Sequence, residues 1–156
     1  MEHKQLLTVF NSLPVGIGFF TADGTLVRCN ESFCRIFGAD SQTLLGNKLN
    51  INENSVVPDV VKEAVRRCVP VQMSFLYDFD KQRTDKRFFS TRTRTCYLKC
   101  NGNPLYDNDG KFVNYIFIFE DITETVKSEE VLRQSRGKRS LLWSSQHHVL
   151  GWLQCQ

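Results

Sequence analysis

Cysteine and histidine are the residue types here best suited to redox, nucleophilic or metal chemistry, and their spacing sets which chemistry is open to them. The cysteines are Cys29, Cys34, Cys68, Cys96, Cys100 and Cys155, and the histidines are His3, His147 and His148. Cys96 and Cys100 stand four apart in a run of β-formers. On a strand that spacing puts both thiols on one face about 13 Å apart, too far to share a metal or a disulfide. Cys29 and Cys34 come closer if the chain turns between them, although a buried thiol ordinarily serves as a small apolar core residue. His147 and His148 lack the partners that would complete a metal site, and read as an exposed polar pair. The sequence holds no Ser-His-Asp order, metalloprotease helix, phosphate-cradling glycine loop or kinase nucleotide motif. The chain is therefore not expected to be an enzyme.

The elements that position these residues follow from periodicity. Leu6, Phe10 and Leu13 form a helical stripe that Pro14 stops. The run 15–21, a D23-G24 turn and residues 26–29 predict two strands in a tight hairpin. Asn30 is placed as an N-cap for a helix with Phe33, Ile36 and Phe37 on one face, ended by Gly38. Residues 41–46 suit one helical turn, and 56–69 a longer helix entered through Pro58. Val71, Met73, Phe75 and Tyr77 alternate onto one face of a strand. A polar loop at 80–86 leads to a second strand over 88–100, and N108-D-G110 turns the chain into a third over 112–120. Sequential, turn-connected strands give an antiparallel sheet, hence an α+β domain.

Composition bounds the rest. A chain of 156 residues, 41% hydrophobic and 12% aromatic, supports one domain with a real core. The formal charge of +3 is modest, with Arg133, Arg136, Lys138 and Arg139 clustered late, so no basic face points to direct nucleic-acid binding. M-E-H-K-Q lacks the regions of a signal peptide, and no apolar run reaches the roughly 18 residues that span a bilayer. The expectation is a cytoplasmic chain with reduced thiols. The cytoplasmic part of a larger receptor would look the same.

Two stretches together resemble the PAS domain family, the sensory modules of signalling proteins such as two-component histidine kinases. They are L13-P-V-G-I-G-F-F-T-A-D-G-T-L-V-R-C-N-E-S-F-C-R-I-F-G38 and G110-K-F-V-N-Y-I-F-I-F-E-D-I-T123, and the likeness covers roughly Leu6 to Arg136. It implies a PAS fold: a five-stranded antiparallel sheet with helices over one face enclosing a small cavity, flanked by N-terminal and C-terminal helices. The expected divisions are an amphipathic helix over 1–13, the PAS domain over 14–121, a signalling helix over 122–136 and an atypical tail over 137–156.

The resemblance also says where a signal would enter and leave. Ile17, Phe19, Phe33, Phe37, Phe75, Tyr77, Tyr97 and Ile116 are assigned to the face under the helices, and so to the cavity wall. Such a wall suits an unidentified, mostly apolar small molecule. The alternative is that so many aromatics simply fill the core, leaving a ligand-free interaction or dimerisation module. No bound cofactor is expected. The family's haem sites use a histidine near the cavity, and no histidine falls in the matched region. Its flavin light sensors use an Asn-Cys-Arg motif that C34-R-I-F-G38 does not reproduce. Asp121, Ile122 and Thr123 form the expected relay, with Asp121 capping the exit helix and Glu124 in the capping-box position. That helix would pass the signal to a downstream effector such as a histidine kinase. Ile122, Thr125, Glu129, Leu132 and Arg136 fill only a weak heptad seam. A homodimer through the Leu6-Phe10-Leu13 stripe and the exit helix is expected. The tail after Arg136, with apolar Leu141, Leu142, Trp143, Val149, Leu150, Trp152 and Leu153, reads as a docking helix or as the altered end of a longer protein.

Overall fold

The computed structural model describes residues 2–82 and 90–146, with side chains as far as 137. Helix α1 (Glu2–Ser12) stops short of Pro14. Strands β1 (Gly16–Phe20) and β2 (Leu26–Cys29) follow, and the turn between them rests on Gly24, whose φ of 88° is one that L side chains avoid. Asn30 caps α2 (Glu31–Phe37) by accepting from the Phe33 amide, and Gly38 closes it in the left-handed conformation. Asp40 caps α3 (Ser41–Gly46) in the same way, through Thr43. A short 3-10 turn, Ile51–Glu53, precedes α4 (Asp59–Arg67), which is entered at Pro58.

After α4 come β3 (Val71–Asp78), one helical turn α5 (Phe79–Gln82), β4 (Thr95–Tyr106), β5 (Phe112–Asp121) and α6 (Thr123–Gln146). The strands make one antiparallel sheet in the order β2-β1-β5-β4-β3. The first and last strands of the chain's sheet segments thus meet at its centre. β4 differs from the strand expected over 88–100. It begins at Thr95, directly after Arg94 takes a left-handed φ of 66°, and runs on to Tyr106.

The two faces of the sheet are distinguishable by what their residues touch. A Cβ added at Gly16 or Gly18 would come within 3.0 Å of Phe33 on α2, so the even positions of β1 face the helices. Phe19 instead packs its ring 6.0 Å from Phe10 of α1, on the opposite face. The core lies on the first side, where Phe33, Leu44, Val61, Val65, Tyr77, Leu98, Tyr115 and Phe117 are all fully buried. Each large side chain buried there contributes roughly 1.5–3 kcal/mol of transfer free energy.

Met1–Ile122 forms one unit and Thr123–Gln156 a second. Within the second, α6 passes Gly137 without a break, so the expected division between a 122–136 helix and a 137–156 tail does not fall at a helix end. Its described side chains, as far as 137, are largely exposed, Val131 and Leu132 at 64% and 56%. An ion pair on it joins Glu130 and Arg133 at 3.3 Å. Exposed pairs of that kind are worth a few tenths of a kcal/mol. Phe88, His147, His148 and Cys155, and the side chains of Leu141, Leu142 and Trp143, lie outside the described residues, as do Val149, Leu150, Trp152 and Leu153.

Candidate functional site

Beneath the helices the sheet carries a cavity of about 30 Å³, lined by Phe20, Phe33, Phe37, Leu49, Ile51, Asn54, Val57, Tyr77 and Phe119. That is room for about one or two waters. Its walls are aromatic: Phe33 and Phe37 stand 4.6 Å apart, Phe37 meets Phe119 edge-on at 5.1 Å, and Phe37 meets Tyr77 edge-on at 5.5 Å. Such tilted pairs add about 0.5–1.5 kcal/mol each beyond area burial. One polar pair interrupts the apolar wall. Asn54 Nδ2 donates to Tyr77 Oη at 2.8 Å, and Asn54 Oδ1 accepts from the Val56 amide at 3.0 Å. Asn54 follows the 3-10 turn, which holds it over the end of β3 where Tyr77 points inward.

Of the eight residues assigned to this wall from sequence, the structure brings Phe33, Phe37 and Tyr77 to the cavity. Phe75 shares the inner face with Tyr77, its ring 6.4 Å away, but packs at the margin. Ile17, Phe19, Tyr97 and Ile116 belong to the other face. Phe19 pairs with Ile116 across β1 and β5, and Tyr97 is 38% exposed. The reason is steric: inner positions 16 and 18 of β1 must be glycine, because α2 crosses there at contact distance. Alternation then sends Ile17 and Phe19 outward and Phe20 inward, and pairing with β1 fixes β5 so that Tyr115, Phe117 and Phe119 point in. Phe20, Leu49, Ile51, Asn54, Val57 and Phe119 went unassigned. The glycines at 16, 18 and 102 were the signal for β1 and β4; the 3-10 turn left no periodic one.

Dry surroundings set the titration of this face. Burial pushes the Cys100 thiol and the Tyr115 phenol up to about 12, and the Cys96 thiol up to about 11. Cys96 and Cys100 therefore stay protonated and apolar at neutral pH, and Tyr115 Oη donates to the Val69 carbonyl at 2.6 Å. A cavity of about 30 Å³ between close-packed rings falls well short of a haem or flavin ring system, so the residues present do not fit either group. Among the described residues, no three Cys, His, Asp or Glu side chains gather as a metal would require.

At the two ends of the domain, polar side chains tie segments together. Asn30 is fully buried, and its one side chain reaches four backbone groups. Oδ1 accepts from Ile17 and Phe33 at 2.8 and 3.0 Å, while Nδ2 donates to Phe10 and Val15, each at 2.9 Å. It joins α1, β1 and α2. At the exit, Asp121 is the last residue of β5, and its Oδ2 lies 3.3 Å from Arg92 Nη1. Arg92 also donates to the Ile36 carbonyl at 2.8 Å and lies over the Phe79 ring, 4.7 Å from its centroid. The Ile122 amide donates to the Tyr97 carbonyl at 2.9 Å. The helix opens at Thr123, so Ile122 and not Asp121 immediately precedes it.

A family model described as the PAS fold matches residues 10–127. No curated protein sequence matches the chain. Among solved structures, an RNA-binding light-oxygen-voltage receptor superposes with a TM-score of 0.64 at 17% identity, over 86% of this chain and 37% of that one. This chain thus spans little more than a third of that receptor's length. A PAS domain from Colwellia psychrerythraea superposes at 0.59 with 15% identity, over 80% of this chain and 99% of that one. A PAS domain from a two-component sensor histidine kinase gives 0.56 at 15% identity, over 77% and 96%. Identities at this level speak to fold alone.

Proposed function

The chain belongs to the PAS-fold family, and we propose that it works as a sensory module, not catalytic by itself, which binds a small ligand or partner and passes the change outward through α6. The observation that carries this reading is the Asn54–Tyr77 hydrogen bond facing a cavity in an otherwise apolar aromatic core. A buried polar pair beside empty space offers a small molecule both a donor and an acceptor to exchange with. The signal would leave along β5. A shift of Phe119 or Tyr77 acts on Asp121, Ile122 and Thr123, with Arg92 as the clasp that registers the movement. The receiving domain would be an effector such as a histidine kinase, joined beyond α6, in a cytoplasmic setting and without direct contact to nucleic acid. The described residues include no helix long and apolar enough to cross a membrane.

Homodimerisation is part of the same proposal. Leu6 and Val9 on α1 are 69% and 55% exposed beside the outer sheet face, an apolar surface that a second copy would cover. The close packing of Phe33, Phe37, Phe117 and Phe119 favours a second reading, in which the core is solid and the module only dimerises or binds a protein.

A native mass spectrum of the purified chain, taken with its absorbance spectrum, separates the two. An added small mass that Tyr77→Phe abolishes supports the ligand sensor. A bare dimer mass at every concentration, unchanged by that substitution, supports the interaction module. A bare monomer at high concentration would sink the dimer.

A further inference from the structure

The thiols of Cys29 and Cys34 lie 3.9 Å apart, sulfur to sulfur, both partly buried and neither in a disulfide. Their positions explain the closeness. Cys29 is the last residue of β2, just before the capping Asn30, and Cys34 is the fourth residue of α2. Residues one before a helix cap and four after it meet side chain to side chain, normally as an apolar staple that fixes the angle of entry. Here both halves of the staple are thiols, and a disulfide, at about 2.05 Å between sulfurs, is a modest further approach.

The residue such a bond would bracket is Asn30, the buried hub that holds Phe10 of α1, Val15 just before β1, Ile17 of β1, and Phe33 of α2. We propose that Cys29 and Cys34 are a reversible dithiol–disulfide pair, oxidised by low-molecular-weight disulfides of the glutathione type, which tightens this hub when closed. One thiolate attacks a sulfur of the external disulfide, forming a mixed disulfide and releasing one glutathione thiolate. The second protein thiolate then attacks the mixed disulfide at the protein sulfur, breaking that bond and releasing the second glutathione. Two electrons pass from the protein thiols to the external disulfide, and the two thiol protons end on the released glutathiones.

Cys96 and Cys100 are buried against the core and cannot be reached in this way without opening the fold. Burial also raises both staple thiols, Cys29 to about 12, so the pair responds slowly at neutral pH and faster in alkali. That slowness suits a poise set by the surrounding disulfide ratio and not a rapid peroxide reaction.

The test uses the full chain in glutathione buffers of stepped ratio, followed by acid quenching, alkylation and trypsin. Cleavage after Arg28 and Arg35 leaves both cysteines in one peptide. We expect that peptide to become lighter by two hydrogens and to escape alkylation as the buffer turns oxidising, and to revert with dithiothreitol. Its rate of formation should rise about tenfold per pH unit between pH 7 and 8, as the thiolate fraction does. Amide exchange at Ile17 and Phe33 should slow in the oxidised form. Three results would overturn the proposal: both thiols alkylated at every ratio, closure seen only in denaturant, or exchange at those amides unchanged on closure. Cys34→Ser should abolish the light peptide, but the decisive reading is on the unsubstituted chain and does not depend on that variant folding.

Discussion

The two faces of one sheet are built from the same strands and do opposite things. Along β5, Tyr115, Phe117 and Phe119 point under the helices, with exposures between 0% and 4%, while Ile116 and Ile118 between them reach the far side half-covered. On β4 the inward Leu98 and Cys100 are fully buried, and outward Tyr97 is 38% exposed. The inner face carries the packing, the polar pair and the cavity. The outer face has apolar side chains among Lys99, Asn101, Asn103 and Glu120, and its described cover is α1, held chiefly through Phe10 and the Asn30 hub. The fold is secured mainly from the inner side, and the outer side keeps the exposed apolar residues on which the proposed dimer contact rests.

The sharpest way to break that contrast is to truncate neighbours on one strand. Phe119→Ala removes a ring that touches Phe33, Phe37 and Phe117, and is expected to lower unfolding free energy by about 3–5 kcal/mol. Ile118→Ala, one residue away on the outer face, is expected to lower it by about 1 kcal/mol. Urea unfolding of both variants decides the matter, and equal losses would mean the outer face is as much core as the inner.

Asn30 lies where the two faces meet, since its side chain bonds to β1, α2 and the α1 helix that packs outside. Asn30→Ala removes a helix cap and leaves buried backbone groups of Ile17, Phe10 and Val15 unpaired, an expected loss of about 2–4 kcal/mol. The same substitution should speed exchange of α1 amides before the sheet unfolds. If α1 stays protected, its hold on the outer face comes from Phe10 on Phe19 and not from the hub.

Much of this was open to reading from the chain alone, and the failures share one cause. The hairpin at Asp23-Gly24, the Asn30 and Gly38 ends of α2, the entry at Pro58 and the inward face of β3 all follow from local chemistry, and the structure has each of them. β3 was legible because its outward positions are mostly polar. In β1 and β5 both phases are apolar, so alternation cannot choose a face, and larger residues were assigned inward where only glycine fits against α2. Asn54 depends on a turn with no period, and its meeting with Tyr77 is a contact between residues 23 apart. The Asn30 cap was readable; its reach to Phe10, 20 residues back, was not.

Alkali should distinguish the faces without any mutation. Cys100 and Tyr115 are neutral in the folded state up to about pH 12, whereas in the unfolded chain they release protons near 9.0 and 10.0. The unfolded state then holds fewer protons than the folded one, so stability is whole below pH 9 and falls as the pH climbs toward 12. The expected slope is about 1 kcal/mol per pH unit for each such buried group. A flat urea midpoint between pH 9 and 11 would show that this face admits water.

The smallest effect on folding should come with the largest on association. Tyr97→Ser changes an outward residue of β4 that lies across from Leu76 of β3, itself 48% exposed, so unfolding free energy should move by no more than about 0.5 kcal/mol. If a second copy covers this face, the same change removes aromatic area from the centre of the contact, where anchors of this type carry most of the binding energy. Sedimentation should then show the dimer constant weakened about tenfold or more, with the monomer still folded. A dimer unmoved by Tyr97→Ser but dissociated by Leu6→Ser would place the contact on α1 alone, and the sheet face would be left to a different protein.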